Sequence, residues 1–364
     1  MTRTWNIAVL GCGAIVRRAH LPGLLASGAA RVPVIFGPDT ANSHATAAAF
    51  GIPRLVHSLE EAIATPGLDA VVVALPNHQH GPAALAAIAA GLPVLLEKPI
   101  ASDIATARAI VAAAEAAGVR TVMSLPQRQR PSLRHLKDLA ATGTLGRVES
   151  IDIRMIRRAG IPGHGGWFTQ KALAGGGVLM DLGPHVLDTA FWLAGCTQVD
   201  RLTARTWRTH GPHGRGLGDW GSSRVTDTAI CDVEDRAWLA MELACGTQVT
   251  CELAWAAFAG EENRVRLVGT RGGADYWPER HGPATPLRLY RDGGDGRPAD
   301  ADAPLPADHD PLDAAWASIA ATFVADLARE RSQLVDVTEA LIAAELIQRI
   351  YDAGPDTRHA PATG

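Results

Sequence analysis

The chain of 364 residues is 47% hydrophobic and 20% charged, a length that suits two domains and a composition that excludes disordered, collagen-like and coiled-coil architectures. A formal charge of −4 supplies no basic field for nucleic acid or an anionic membrane, and no uninterrupted apolar run reaches the ~18 residues of a membrane span. Five cysteines (Cys12, Cys196, Cys231, Cys245, Cys251) without a C-x-x-C spacing, and a start that lacks a leader's basic and apolar regions, predict a cytoplasmic protein.

In chain order, residues 1–125 alternate short apolar runs with longer helical patterns, as parallel βαβ units do. Strands are predicted at Asn6–Leu10, Val32–Phe36, Leu68–Leu75, Leu92–Leu96 and Val119–Ser124. Helices are predicted at Ile15–Ser27, Ala41–Phe50, Gly81–Ala90 and Ser102–Ala117, the last stopped by Gly118. From Pro126 the texture changes. A helix over Ser132–Ala141 is followed by period-two runs at Val148–Arg154, Ala229–Val233, Ala237–Leu243, Gln248–Trp255 and Asn263–Val268, with a hairpin signal at Ala244-Cys245-Gly246. Tyr276–Asp310 is dense in Gly, Pro and Asp and reads as surface loop. Helices over Asp313–Arg331 and Thr338–Tyr351 precede a loose polar tail. The pattern predicts an α/β protein: a doubly wound parallel sheet over 1–125, then an α+β domain over 126–364 with an open, mostly antiparallel sheet.

Gly11-Cys12-Gly13-Ala14-Ile15-Val16 follows the first strand and opens a helix, where glycines let a backbone approach a pyrophosphate and unpaired N–H groups face it. The stretch predicts a dinucleotide-binding Rossmann domain with Gly11, Gly13, Ala14 and Ile15 at the cofactor, although Val16 replaces the usual third glycine. At the end of the second strand, where an acid normally binds the adenosine ribose, stands Gly37, with Asp39 two residues on. With no adjacent Lys or Arg for a 2′-phosphate, the expected cofactor is NAD, and NADP is the alternative.

Asp69–His80, containing Pro76-Asn77-His78-Gln79-His80, and Gly91–Pro99, ending in Glu97-Lys98-Pro99, resemble the P-N-x-x-H and E-K-P signatures of the glucose–fructose oxidoreductase / inositol dehydrogenase / rhizopine catabolism (Gfo/Idh/MocA) family. Gly175–Asp188 is similar to that family's G-G-G-x-x-x-D-x-G-x-H-x-x-D stretch. The resemblance runs from Gly11–Pro22 to Ile350-Tyr351. It implies an NAD(P)-dependent enzyme oxidising a secondary hydroxyl of a sugar, cyclitol or (amino)glycoside to a ketone. It also implies that Leu75, Pro76, Asn77, His80, Glu97 and Lys98 line the cofactor groove, with Lys98 on the nicotinamide ribose.

The residues themselves agree. Pro76-Asn77 and Glu97-Lys98 fall at carboxyl ends of predicted parallel strands, the ligand edge of such sheets. Asp181 and His185 are spaced to share one helix face. An ammonium, a carboxylate and an imidazole can thus meet at one cleft between two domains. His185 is the expected general base and Lys98 the group that stabilises alkoxide charge, while Asp181 orients the polar groups. The resemblance assigns the same three. Taken singly, Asp181 also reads as a helix cap, His185 as a core histidine and Lys98 as a solvated strand end. Only three lysines (Lys98, Lys137, Lys171) occur among 34 basic residues, which favours a required role for each.

Arg128 and Trp167 lie in segments that resemble substrate- or cofactor-facing stretches. Trp207 and Trp220, in a Gly-rich loop spanning Trp207–Ser223, could stack on a sugar face. His210, His213, His78, His80 and His309 lack zinc-site spacing, so no metal is expected. The expected partners are a polyhydroxylated small molecule and further copies of the chain, as a homodimer or homotetramer. Two rival readings remain: transient oxidation by bound NAD during glycoside cleavage, and an NAD-sensing regulator without turnover. Secondary metabolism, such as aminosugar biosynthesis, is preferred over sugar catabolism.

Overall fold

The computed structural model describes residues 3–223, 225–226, 228–278, 286–295, 297–302, 312–354 and 356–360. The first strands and helices are β1 (Trp5–Leu10), a π-helical turn at Val16–His20 running into α1 (Leu21–Ala26), β2 (Ala30–Arg31), β3 (Ile35–Phe36), α2 (Ala41–Ala49), β4 (Leu55–Val56) and α3 (Leu59–Ile63). They are followed by β5 (Ala70–Val73), α4 (Asn77–Ala89), β6 (Val94–Glu97), α5 (Ile104–Ala117), β7 (Thr121–Ser124), α6 (Pro131–Ala141), β8 (Val148–Ile156), α7 (Lys171–Ala174) and α8 (Val178–Ala194). The later strands are β9 (Val199–Trp207), β10 (Arg236–Leu243), β11 (Gln248–Ala254), β12 (Glu262–Gly269), β13 (Gly272–Tyr276), β14 (Leu287–Asp292) and β15 (Pro298–Asp302). Helix α9 (Leu312–Asp326), β16 (Val335–Asp336), α10 (Val337–Asp352) and β17 (Asp356–Ala360) complete the set.

The chain divides into two compact units, Met1–Pro126 with Asp313–Ala344, and Gln127–Leu312 with Glu345–Gly364. Asp313–Ala344, grouped with the second half on sequence grounds, is therefore part of the first unit. No helix among the described residues is long and apolar enough to cross a membrane.

The first unit is a doubly wound sheet in the order β16-β7-β6-β5-β1-β3-β4, with β2 beside β1; β16 alone of the described strands runs antiparallel. Strand alternation sorts its apolar residues onto two faces. Ala8, Leu10, Val71 and Val73 pack with α4 and α5 residues such as Ala84, Ile88 and Ile110. Ile7, Val9, Ala70 and Val72 pack on the other face with Leu21 and Leu24 of α1 and with Ile319 and Phe323 of α9. Burying both faces explains why these strands read as continuous apolar runs.

The second unit is a sheet in the order β15-β14-β13-β12-β8-β11-β10-β9-β17, antiparallel except where β8 meets β11. Helix α8 packs on β8, β10 and β11. Arg264 bonds Asp152 at 2.7 Å, Arg266 bonds Asp275 at 2.6 Å and Arg236 bonds Glu252 at 2.5 Å, an ion-pair ladder across the strands. The predicted hairpin is present: Gly246, with φ +85°, turns between β10 and β11. Two further expectations fail. Tyr276–Asp310 is not simply loop, since β14 and β15 lie within it. Ala229–Val233 is no strand; the Asp232 carboxylate accepts the Lys171 N–H at 2.7 Å and Thr169 Oγ1 donates to the Ile230 carbonyl, which ties the segment to the start of α7.

Candidate active site

The phosphate-loop geometry follows from two glycines with different reasons. Gly11 has φ +126°, and a Cβ there would stand 2.1 Å from the Ala74 carbonyl oxygen, so only glycine fits. A Cβ at Gly13 would meet nothing within 4 Å, so the loop is open on that side, as a backbone cradle for a pyrophosphate requires. The Cys12 carbonyl is held by Arg17 Nη1 at 3.0 Å and Asn42 Nδ2 at 2.9 Å. Beyond it, Ala14 and Ile15 are half-buried. Val16, in place of the third glycine, is buried in the core cluster of Ile7 and Val9. The backbone therefore suits a dinucleotide despite the altered fingerprint.

Gly37 also has a local cause. A Cβ at this position would lie 2.6 Å from Cys12 Sγ and 3.2 Å from Ser43 Oγ, so the thiol occupies the space an acid's stem would need. The nearby carboxylate is the exposed Asp39, whose Oδ1 accepts from His44 Nε2 at 2.8 Å. That hydrogen bond, with the charges of His57 and His44, holds the Asp39 carboxyl below its ordinary range.

P-N-x-x-H proves to be a helix start rather than a strand end. Helix α4 opens at Asn77 with Pro76 as its N-cap, four residues earlier than its predicted beginning. This puts His80 one turn inside, buried, where Nε2 lies 2.8 Å from the Leu75 carbonyl and Nδ1 lies 2.7 Å from the Pro99 carbonyl. Burial lowers the His80 pKa despite both carbonyls. Both ring nitrogens thus face backbone carbonyls just beyond β5 and β6, and the neutral ring donates to one of them. Leu75 and Pro76 are half-buried and Asn77 is buried at the same sheet edge.

Glu97 ends β6 in the same way. The buried His20, which sequence reasoning missed, places Nε2 2.8 Å from Glu97 Oε1, and Oε2 accepts the Lys98 backbone N–H at 3.2 Å. Burial alone would raise this carboxyl, yet His20, Ser124 and Lys98 hold it below its usual value. The π-helical turn that carries His20 precedes Pro22, a residue without an N–H, and the Leu21 N–H closes back on the Val16 carbonyl. Glu97 is thus a fixed anchor directly before the half-buried Lys98.

In the second unit, Asp181 and His185 are one turn apart on α8. Asp181 is not the cap, because the N-cap is Gly177. Its Oδ2 accepts Trp255 Nε1–H at 2.8 Å, and Trp255 is fully buried. His185 is also buried and lines a cavity with Gln127, Met155, Thr189, Asn263 and Pro278. The helix start is fixed by Glu234, which the sequence did not flag. Its carboxylate accepts from Gly177 N and Leu179 N at 3.0 Å and from Tyr351 Oη at 2.8 Å. Burial raises the Glu234 pKa in spite of those donors. The same contacts explain the glycine run: a Cβ at Gly176 would strike the Tyr351 hydroxyl and one at Gly177 the Glu234 backbone, at 2.0 and 1.9 Å.

The other candidates differ in what occupies them. Arg128 makes a two-pronged ion pair with Asp188, Nε at 3.0 Å and Nη2 at 2.6 Å, so its guanidinium serves the framework of this unit. Trp207 is the last residue of β9, not a loop residue, with Arg236 over its ring at 4.7 Å. Trp167 stacks on Phe168 at 3.8 Å between ring centroids. The Trp220 carbonyl accepts from Gly163 N at 2.8 Å and Gly218 N bonds the Ile161 carbonyl at 2.9 Å, so the Trp220 loop is zipped to the segment just before Trp167. The His210 ring meets Phe258 edge-on, and the His210 backbone N–H donates to Asp235 Oδ2 at 2.6 Å. His309 lies outside the described residues.

The chain matches the model of an oxidoreductase family with an NAD-binding Rossmann fold over residues 5–125 and that of the GFO/IDH/MocA C-terminal domain over residues 133–275. It is 33% identical over 302 residues to an Amycolatopsis mediterranei protein assigned provisionally as a UDP-kanosamine synthase oxidoreductase subunit, covering 79% of this chain and 80% of that one. It is 27% identical over 275 residues to D-glucoside 3-dehydrogenase of Escherichia coli K12, covering 75% and 77%. Among solved structures, GenD2 from gentamicin A biosynthesis, in complex with NAD, superposes with a TM-score of 0.78 at 26% identity over 100% of this chain and 98% of that one. With a glycine cradle, an E-K-P strand end and a D-x-G-x-H helix all in place, the chain belongs to the GFO/IDH/MocA family and is an NAD-binding oxidoreductase.

Proposed function

We propose that this enzyme oxidises a secondary hydroxyl of a sugar, cyclitol or aminosugar-type glycoside to a ketone, with Lys98, Asp181 and His185 as its working groups. The observation that carries the reading is the pair on α8: a buried imidazole, and one turn away a carboxylate held by a buried indole N–H. His185 accepts the hydroxyl proton. Lys98 donates to the same oxygen and offsets the negative charge that grows on it. Asp181 keeps the polar groups in register and favours their cationic forms. NAD, held by the Gly11–Gly13 turn and the Glu97-Lys98 strand end, would supply the acceptor for the hydride that leaves the carbon. The C–O single bond thereby becomes a carbonyl, with one proton on His185 and two electrons on the cofactor.

The relatives support a sugar substrate, and the GenD2 likeness supports secondary metabolism of amino sugars. A homodimer or homotetramer in the cytoplasm goes with this reading. The test is an absorbance screen at 340 nm of sugars, cyclitols, nucleotide sugars and aminoglycosides with NAD and with NADP. The expected result is stoichiometric NADH from one class, lost in Lys98→Ala while NAD binding persists. Bound NAD that cycles without net NADH would overturn net oxidation, and full turnover by Lys98→Ala would overturn the assigned groups.

A further inference from the structure

The first unit carries a set of metal-ligating side chains that the hydroxyl oxidation does not use. Parallel strands β3 and β4 pair Phe36 with Val56, so the residues beyond them, Gly37–Asp39 and His57, leave the sheet at one edge. Thr40 caps α2 by accepting the Ser43 N–H, and the first turn of that helix returns His44 to the same corner. Asp39 Oδ1 and His44 Nε2 are 2.8 Å apart, and His57 Nδ1 donates to the Gly37 carbonyl at 2.8 Å. The ligand atoms that the three exposed side chains offer all lie within 4.8 Å of one another.

This is an ordered arrangement. A carbonyl only accepts, so His57 must carry its proton on Nδ1, and the lone pair of the neutral ring is on Nε2. An imidazole fixed by an N–H to a backbone carbonyl is the usual outer support of a metal-binding histidine. Two imidazoles and a carboxylate hold zinc at ~2.0–2.2 Å, which sets neighbouring donors a little over ~3 Å apart. Exposed side chains need move only about an ångström to reach that spacing from the separations seen here. A cation between Asp39 and His44 replaces the proton they share, which leaves to solvent.

We propose that Asp39, His44 and His57 form a surface site for a divalent transition-metal ion of the zinc type, and that its occupation weakens dinucleotide binding. The second limb rests on the cofactor placement argued above. With Gly37 at the usual acid position, Asp39 is the nearby carboxylate for the adenosine ribose, and a metal that takes it removes it from the hydroxyls. Imidazole and carboxylate together favour zinc and nickel over magnesium and calcium.

The full-length protein is titrated with zinc chloride by calorimetry, beside His57→Gln and the double variant His44→Gln/His57→Gln. The wild type should bind one zinc equivalent more than the double variant, with His57→Gln weakened at least tenfold and magnesium giving no matching heat. Equal zinc stoichiometry in wild type and double variant overturns the site, and equal affinity for magnesium overturns the metal class. In a second titration with NAD, saturating zinc should raise the Kd about tenfold in the wild type and leave the double variant unchanged. A lost zinc equivalent with no change in NAD affinity overturns the coupling alone, and absence of NAD binding without zinc overturns the cofactor placement instead.

Discussion

Replacing Gly37 with Asp restores the acid that dinucleotide sites usually carry at this position, and the structure gives its cost. A Cβ there comes within 2.6 Å of Cys12 Sγ, whereas its distance to Cys12 Cβ is 3.4 Å. The severe clash is therefore with the sulfur, about 1 Å inside normal van der Waals contact, beside a tight approach to Ser43 Oγ at 3.2 Å. Overpacking of this kind costs about 1–3 kcal/mol. Cys12→Ala removes the sulfur and by itself forfeits about 1 kcal/mol of apolar burial. Cys12→Ala/Gly37→Asp should then be about 1–3 kcal/mol more stable than the sum of the single variants. Its new carboxylate, bonded to the ribose hydroxyls, should tighten NAD binding by about tenfold or more, the worth of a charge-assisted hydrogen bond. Denaturant midpoints for the four proteins and NAD titrations of the wild type and the double variant read both effects. Strict additivity, or a Gly37→Asp single variant as stable as wild type, would refute the claim that the thiol excludes the acid.

Trp255→Phe removes the N–H that Asp181 accepts; kcat should fall about 10- to 100-fold from a lost hydrogen bond to a charged group, with NAD affinity unchanged. Full kcat in that variant would show that Asp181 needs no such support. Glu234→Ala strands Gly177 N, Leu179 N and the Tyr351 hydroxyl, so the second unit should lose about 3 kcal/mol or more in chemical denaturation, against about 1 kcal/mol for Tyr351→Phe. The Glu97 carboxyl is depressed on folding by His20, Ser124 and Lys98 against the upward pull of burial. Its contribution is therefore present above the unfolded value of ~4.3 and lost as pH falls through the lower folded one. Glu97→Gln should flatten the acid limb of the stability curve, and an unchanged limb would remove the pair from the acid response.

The parallel sheet and the segments around Gly11, Glu97-Lys98 and Asp181–His185 were legible because local pattern encodes them: buried strands between helices, glycines at a close turn, two side chains at helical spacing. What escaped notice is carried by contacts between distant residues. Glu234 caps a helix that begins far upstream, Trp255 meets Asp181 across 74 positions, and Tyr351 reaches Glu234 across 117. No periodicity announces such partners. His20 lies within the predicted helix Ile15–Ser27 with nothing local to mark it, and only the sheet places Glu97 beside it. The strands within Tyr276–Asp310 were masked by Gly and Asp, although Leu287-Arg288-Leu289-Tyr290 does alternate. Ala229–Val233 showed the opposite error, since the Asp232 side chain takes a backbone N–H instead of facing solvent from a ladder.

The return of α9 and β16 to the first unit bears on how the chain can be made. Ile319, Phe323 and Leu334 are buried in the same cluster as Ile7, Leu21 and Leu24, and Val335 pairs with Met123 at the edge of the sheet. A ribosome releases the phosphate loop early but cannot supply its missing layer until more than three hundred residues have been joined. During synthesis the nucleotide module must wait, with one side of its sheet uncovered, while β8 to β15 of the antiparallel sheet emerge ahead of α9. A fragment cut at Pro126 would share that exposed side permanently, and adding Asp313–Ala344 as a separate peptide is what would close it.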